Sequence, residues 1–512
     1  MKYTLFLLSS LAAAQLFAGR AIARWDVIPY QRVSSVFKAG VVAFHEKGVT
    51  VEFTVNGKKV HTATRPELNG RTKVWEYVFP FDATKYPDGL VKLGAKALVE
   101  GEPAYELPVV ELYANTKKTQ GARKSIWVDP KNGNEFADGS ETNPVNSIKQ
   151  AVQKCGDGGT VYLMPGTYPA KMVGGGKDRK YWTRILPAKG VKRSQVKIAS
   201  GRTGTEKLHF INCELYCDVS DGYGTVIMGE GGQTMAWFDN CRMYNKQGRY
   251  AGTTAPFGNK LRAFVTGGVT EDLSNGPNCE LVRNHEVRTI ANDAFQGNDC
   301  LVVNTKVSDL DGTGTSADPD IFNGFATGDK WVGDVILFNV AATDIKAKAL
   351  SGQRLRDSAF VNLSVEATGG DLVLTRFSED MENVLFAHLT LVGQAWQWMQ
   401  ARNGRGNYKP KDVRMYNLVL KQMEGFETCD GSQGLLVRGA AYYNKDFYGK
   451  TTTFGESAVA IESAPADAGE KNFPLAEGSP ALTAGVALVG VPTDINGEPY
   501  PDGARPCGAY AK

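Results

Sequence analysis

Histidine is scarce in this chain, five residues in 512, and the eight cysteines (155, 213, 217, 241, 279, 300, 429 and 507) include no CxxC pair. Without that spacing, and with no histidine at a matching interval, a structural zinc site is not expected. An excess of one charge is also lacking: 58 basic against 55 acidic residues leave a formal +3. No basic stretch interleaved with aromatics occurs, so nucleic acid is not an expected partner. Beyond the N-terminal leader no apolar run approaches the roughly 20 residues that a membrane-spanning helix needs. Glycine is abundant instead, with 57 residues against a usual share of about 7%. That suits a fold which turns every few residues.

A short phrase recurs along most of the chain: two apolar residues, then Asn. It occurs as Phe210-Ile211-Asn212, Val302-Val303-Asn304, Leu337-Phe338-Asn339, Phe360-Val361-Asn362 and Met415-Tyr416-Asn417. Weaker copies are Phe238-Asp239-Asn240 and Val282-Arg283-Asn284, and Leu385-Phe386-Ala387 keeps the frame with Ala in the Asn slot. The steps between equivalent positions are 28, 44, 20, 35, 23, 25 and 30 residues. One short strand per irregular step is the pattern of a solenoid whose loops vary while its coil stays constant. Stacked coils place like residues about 4.8 Å apart, so a column of Asn can satisfy itself by amide-to-amide hydrogen bonds at the bend after each strand.

Residues 1–23 read as a secretory leader. Lys2 is followed by an uncharged, mostly apolar run from Leu5 to Ala18, and Ala21-Ile22-Ala23 places small residues where a signal peptidase reads them. Cleavage is expected after Ala23, giving a secreted or periplasmic protein with no transmembrane segment. Export permits disulfides. Cys213 and Cys241 each follow a repeating Asn and should be neighbours, as core packing, the favoured outcome, or as a cross-coil bridge.

Residues 24–115 carry alternating strands punctuated by turns: Val49, Val51, Phe53 and Val55 precede Asn56-Gly57, and Val91, Leu93, Ala95 and Ala97 follow Pro87-Asp88-Gly89. This predicts a small β-sandwich. Val55-Asn56-Gly57 and Asp88-Gly89-Leu90 resemble bacterial immunoglobulin-like modules, which implies a spacer or a carbohydrate-binding accessory, the spacer being preferred. The polar residues 116–124 read as a linker.

Residues 125–512 open with Ile126-Trp127-Val128-Asp129-Pro130. Ile148, Ala151 and Val152 then mark one face of a short helix, and Gly158-Gly159-Thr160-Val161-Tyr162-Leu163-Met164-Pro165-Gly166-Thr167-Tyr168 follows. With Gly478-Ser479-Pro480-Ala481-Leu482, Asp494-Ile495-Asn496-Gly497 and Cys507-Gly508-Ala509-Tyr510 near the far end, the passage resembles the pectin-lyase-like superfamily. That resemblance implies an all-β chain: a right-handed parallel β-helix with a short N-terminal capping helix and a C-terminal cap. It is almost silent on reaction, because the scaffold carries many activities. The motifs that usually mark pectate lyases and polygalacturonases of this fold are missing.

Function on such a scaffold should lie where loops overhang a face. The step from Asn304 to Asn339 carries Asp309, Asp311, Asp318 and Asp320. Asn292-Asp293 lies before it, and Lys346, Lys348, Arg354 and Arg356 lie after it. If coils stack in order, these acids face these bases. The arrangement suits β-elimination on a uronic-acid polysaccharide, in which the carboxylate is neutralised by Ca²⁺ or an Arg fork while a base removes the α-proton. On this reading Asp311, Asp318 and Asp320 are metal ligands, and Asp293 a ligand or catalytic carboxylate. Lys346 or Lys348 is the base, and Arg354 and Arg356 hold the substrate carboxylate. Trp396 and Trp398 alternate on one strand and stack on sugar if they face outward, or fill core if inward. Hydrolysis by Asp293 with Asp318 or Asp320, and non-catalytic glycan binding, are the alternatives. His285 and His388 are expected to be structural, and the protein a monomer.

Overall fold

The computed structural model describes residues 19–169, 179–204, 207–219, 224–229, 234–258, 261–313, 319–324, 330–346, 348–352, 354–368, 372–373, 375–377, 381–397, 410–423, 435–443, 459–460, 482–483, 485–501 and 505–511. The chain is a small sandwich followed by a right-handed parallel β-helix. In the sandwich, strands Ile22–Trp25, Val36–Phe44, Trp75–Asp82 and Glu67–Leu68 form one antiparallel sheet. Arg32–Val33, Val110–Ala114, Gly89–Leu98, Thr50–Val55 and Lys58–Ala63 form the other, in that order. Val51, Phe53 and Val55 alternate inward onto a core shared with Val41, Phe81 and Leu93. Asn56 and Gly57, at φ 50° and 82°, supply the two left-handed residues of the hairpin turn.

The first strand runs across the expected leader boundary. Ala21, Ile22 and Ala23 are 1%, 2% and 3% exposed, and Ile22 and Ala23 pair with Phe44 and Ala43. A cut after Ala23 would remove half of this buried strand. The segment read as a linker is tied down as well. Thr116 and Lys117 donate backbone N–H groups to Asp88, Arg32 donates to the Gln120 carbonyl, and Tyr181 donates to the Gln120 side chain.

The helix begins at Ser125–Val128. Ser147 caps the single α-helix described, Ile148–Cys155, which turns Ile148, Ala151, Val152 and Cys155 onto the first coil. From there the strands stack in parallel. Val302, Leu337, Phe360, Phe386 and Met415 occupy one inward column, and rings repeat at the coil spacing, with Phe360 and Phe386 stacked at 5.2 Å between centroids. Cys213 and Cys241 are buried free thiols in this core, not a bridge.

The Asn column forms the bend after the first strand of each coil. Its members are left-handed, for example Asn304 at φ 50°, Asn339 at 55° and Asn362 at 52°, a conformation Asn tolerates better than most residues. Asn240 donates to Asn212, Asn304 to Asn284, Asn339 to Asn304 and Asn362 to Asn339, at 3.1, 3.2, 3.0 and 2.9 Å. Two positions correct the reading of the repeat. The long step from Asn240 to Asn284 holds two coils, because Gly267 (φ 65°) fills the slot in between. His388, not Ala387, stands in the slot between Asn362 and Asn417, since Val361 pairs with Ala387 and Ala387 with Tyr416. Its Nδ1–H donates to the Gly508 carbonyl (3.1 Å), so Nε2 accepts from Asn417 Nδ2 (3.0 Å). Burial pushes the His388 pKa down to about 3, which keeps it neutral.

The sandwich does not hang off the helix as a spacer. It lies along the outer surface of the first strands, where Trp182, Phe264, Leu301, Val303, Phe338 and Val361 meet Ile22, Ile28, Val42, Phe44 and Val74 in one apolar cluster. Leu488, Val491 and Tyr500 of the C-terminal passage join that cluster. This passage runs along the side of the solenoid: Asn362 donates to the Thr493 carbonyl, Asn417 to the Val486 carbonyl, and Tyr510 to Ser364.

At the centre of the interface Asp26 and Glu76, both 0% exposed, sit with Arg283 of the helix and Arg71. Burial raises both carboxyl pKa values, and the neighbouring Asp26 raises Glu76 further, well above its usual 4.5. A carboxyl whose folded pKa is raised binds more protons in the folded than in the unfolded state above its unfolded value. Its stabilisation is therefore complete in acid and lost as pH rises toward the folded pKa. Glu76→Gln keeps the acceptor oxygen for Asn69 and Thr72, 2.6 and 2.7 Å away, without titrating. Urea unfolding from about pH 5 to pH 9 should show the wild type losing up to about 1.4 kcal/mol per pH unit relative to this variant. Parallel profiles for the two proteins would reject the argument.

Candidate functional site

With the first face covered, the outer surface of the second strands stays accessible among the described residues, where Arg288 and Lys306 are exposed. Register places Glu214, Arg242, Val269, Glu286 and Lys306 in one outward row, and Tyr216, Tyr244, Glu271, Arg288 and Ser308 in the next. Arg242 lies 4.1 Å over the Tyr244 ring and bonds Glu271, whose other oxygen takes Arg288. Burial works to raise the Glu271 pKa, but these two guanidinium groups outweigh it and hold the carboxylate below its usual range.

The corner at the end of this face is denser. Strands Leu301–Asp311 and Ile336–Lys346 run in register to their last residues, which brings Lys346 Nζ to 2.9 Å from Asp311 Oδ2. Thr313 N–H donates to Asp311 Oδ1 at 2.8 Å. Burial again works upward on Asp311, yet the Thr313 bonds and Lys346 together hold it at about 2. Arg249 reaches over from an earlier loop to Asp309 Oδ1 (2.7 Å), with Asp311 Oδ2 at 3.9 Å. Tyr250 beside it donates to the Asp311 carbonyl (3.2 Å) and leaves its ring 49% exposed, open for stacking. Asp309 and Asp344 are left-handed here, at φ 53° and 56°, so this bend is a second column, built from Asp. A groove of about 430 Å³ lies between the open face and the C-terminal passage, lined by Glu286, Lys306, Ser308, Thr343, Asn496 and Tyr510.

The expected residues divide. Asp311 and Lys346 meet, and the backbones of Asp320 and Lys348 pair in register between strands Asp320–Gly324 and Lys348–Gly352 of a separate four-stranded sheet. Acids do face bases on the next coil. The Asp311 bond raises the Lys346 pKa, so in this resting state the amine is an acid, and acting as a base requires the pair to part. Asp293 is 1% exposed and accepts from Asp320 N–H at 3.0 Å, Asn323 Nδ2 at 3.0 Å and Gln296. Asp320 is 2% exposed. Neither presents its carboxylate to the surface, which weighs against metal, catalytic or hydrolytic roles for this pair. Arg354 and Arg356 flank the start of Leu355–Ala367, where Arg356 pairs with Gly333, whereas Asp311 and Lys346 pair at the far ends of their strands. Arg356 instead lies 5.9 Å over the Trp331 ring. Asp318 and Trp398 lie outside the described residues. Trp396 falls on strand Met381–Gln397, and its side chain, like that of Lys348, is not among those described. Among the described residues no group of three or more His, Cys, Asp or Glu is placed to hold a metal ion.

Arg249, Tyr250, Tyr244 and Arg288 join the site without belonging to any motif of the sequence. The tyrosines and arginines of the open face had a signal in the alternation of Glu214-Leu215-Tyr216 and Arg242-Met243-Tyr244. Arg249 had none, because its reach depends on the loop that carries it. A second cleft, of about 660 Å³, lies where sandwich meets helix. Its charges are already paired, Arg24 with Asp299 across the junction and Arg262 with Glu280 within the helix.

No protein-family model matches the chain, and no curated protein matches it. Solved structures do. A PL6-family alginate lyase aligns at TM-score 0.33 and 11% identity over 61% of this chain and 52% of its own length. The chain thus spans about half of that enzyme. A pectate lyase aligns at TM-score 0.30 and 14% identity over 77% and 98% of the two chains, and Dex49A from Penicillium minioluteum at 0.28 and 10% over 82% and 78%.

Proposed function

We propose that the protein is an exported carbohydrate-active enzyme that binds a uronic-acid polysaccharide along the open second face and cleaves it by β-elimination at the Asp311–Lys346 corner. The observation that carries this reading is the set of basic residues Arg242, Arg288, Lys306 and Lys346, spread over two adjacent rows and the corner, with exposed tyrosine beside it, on the long face that the sandwich leaves clear. Arg288 and Lys346 reach the surface while their partners Glu271 and Asp311 lie beneath them at 5% and 8% exposure, so a sugar carboxylate can approach these cations from the solvent side. An Arg fork on that carboxylate lowers the barrier to removing the adjacent proton. Displacing Asp311 from Lys346 by substrate would at the same time free the amine toward a base role. Ca²⁺ bound with the help of Asp318 belongs to the same proposal.

The test is the ultraviolet absorbance of the new conjugated double bond, on alginate, pectin and glycosaminoglycans. Lys346→Ala should reduce the rate by at least about 100-fold, the range of a lost acid–base group, with KM changed little. Arg288→Ala should raise KM instead. A specific observation, the Lys346 amine held protonated by Asp311, favours a second reading of non-catalytic glycan binding. Retention on an anionic polysaccharide column without any absorbance rise would establish that one, and neither result would remove both.

A further inference from the structure

We propose that the mature chain begins at Gly19 and that its α-ammonium is the partner of the buried Asp412 carboxylate, an ion pair that pins the start of the sandwich to the helix. The proposal rests on the reading of an N-terminal leader, moves its end from Ala23 to Ala18, and is independent of the reaction.

Asp412 stands in a left-handed bend (φ 56°) near the end of the described coils. Both of its carboxylate oxygens are shut off from solvent and neither accepts a hydrogen bond. The nearest cation, Arg414 Nε, is 3.4 Å away. That guanidinium already serves Glu46 Oε2 at 2.8 Å and Asn383 Oδ1 at 2.5 Å. With Glu46 close by, the pocket holds two carboxylates against one guanidinium. Burial, reinforced by Glu46 and only partly opposed by Arg414, pushes Asp412 up to about 6. A buried carboxylate left in this state is costly, and one further positive charge with N–H donors would relieve it.

Gly19 is placed to supply that charge. A methyl group on its Cα would come within 1.7 Å of Asp412 Oδ2 and 2.5 Å of Asn383 Oδ1, so only glycine fits and its Cα lies against the carboxylate. Its carbonyl accepts from His45 Nε2 at 2.7 Å, and the next residue, Arg20, is locked to Asp357 at 2.6 Å. The chain is thus fixed from the C-terminal side, with the Gly19 nitrogen one bond from an atom that touches Asp412. Ala18, the residue before it, is small, as the last residue of a leader should be. The chemistry is hydrolysis by an export peptidase: water adds across the Ala18–Gly19 peptide bond, Ala18 departs with the new carboxylate, and Gly19 keeps its nitrogen as an amine that takes up a proton. An amide N–H at this position offers one neutral donor, whereas the ammonium offers three donors and a charge.

N-terminal sequencing and intact mass of the protein exported from the full-length gene should give Gly19 as the first residue. Purified chains starting at Gly19, or extended by one Ala that moves the charge away, are then compared by thermal unfolding in the wild type and in Asp412→Asn. The extension should lower Tm by several degrees in the wild type and leave Asp412→Asn unchanged. Removal of a leader at any other bond overturns the proposal while keeping the leader reading. An exported protein that retains residues 1–18 overturns both. A start at Gly19 with equal Tm losses in the two backgrounds overturns the ion pair.

Discussion

A chain that starts at Ser125 should fail to stay in solution as a folded monomer, and the full chain should unfold in a single transition in which sandwich and helix melt together. The reason lies in the outward residues of the first strands. Leu301, Val303, Ile336, Phe338, Ala359 and Val361 are all at or below 1% exposure, yet they point away from the inner core. They are buried only because the sandwich and the C-terminal passage lie on them. Stripping the sandwich away would expose a continuous apolar stripe, and patches larger than about 300–600 Å² are rare on soluble monomers. Within the full chain, Phe338 packs edge-on against Phe44 at 5.1 Å, and Phe338→Ala should cost about 3–5 kcal/mol. Calorimetry of the full chain and light scattering of the fragment read the two results. Two separate transitions, with a soluble fragment melting at the temperature it has in the whole protein, would show that the sandwich is a detachable module after all.

Arg283→Met is expected to be nearly as damaging, by about 3–5 kcal/mol, because it leaves Asp26 and Glu76 in a dry interface with Arg71 alone. The cost is that of an uncompensated buried charge, not the value of the pair. Adding Asp26→Leu to the same chain should therefore recover most of the loss, since replacing both members of a buried pair by apolar groups is often neutral. A double-mutant cycle by urea unfolding gives the coupling directly. If the double variant is as unstable as the sum of the single ones, the interface relies on Arg283 for packing and the electrostatic account fails.

Much of the fold was legible in the repeated phrase, and where the reading slipped the cause was chemical. Gly267 and His388 occupy Asn slots, the first because glycine adopts the left-handed bend freely, the second because its imidazole can continue the ladder of acceptors. A search for Asn passes over both. The bends at Asp309 and Asp344, and at Asp299, Asp334, Asp357 and Asp412, use aspartate for the same backbone reason, and in sequence they look like chemistry. The phrase also held an unread instruction. Two apolar residues in succession on a strand face opposite sides, so Leu337-Phe338 and Phe360-Val361 already required something to cover the outside of the first sheet.

The sequence by itself determined the coil: alternation fixes which side chains fill the interior, and Asn, Asp or Gly fixes each bend. It also determined that Asp311 and Lys346 would meet, because in-register parallel stacking converts position within a coil directly into adjacency. The third dimension alone decided which face stays open, that Asp293 is buried in hydrogen bonds while Arg249 arrives from a distant loop, and that the first residues of the sandwich settle against Asp357 and Asp412. Those outcomes depend on how two separately folded surfaces dock and on how far a loop reaches. Neither is encoded in the period of any one segment.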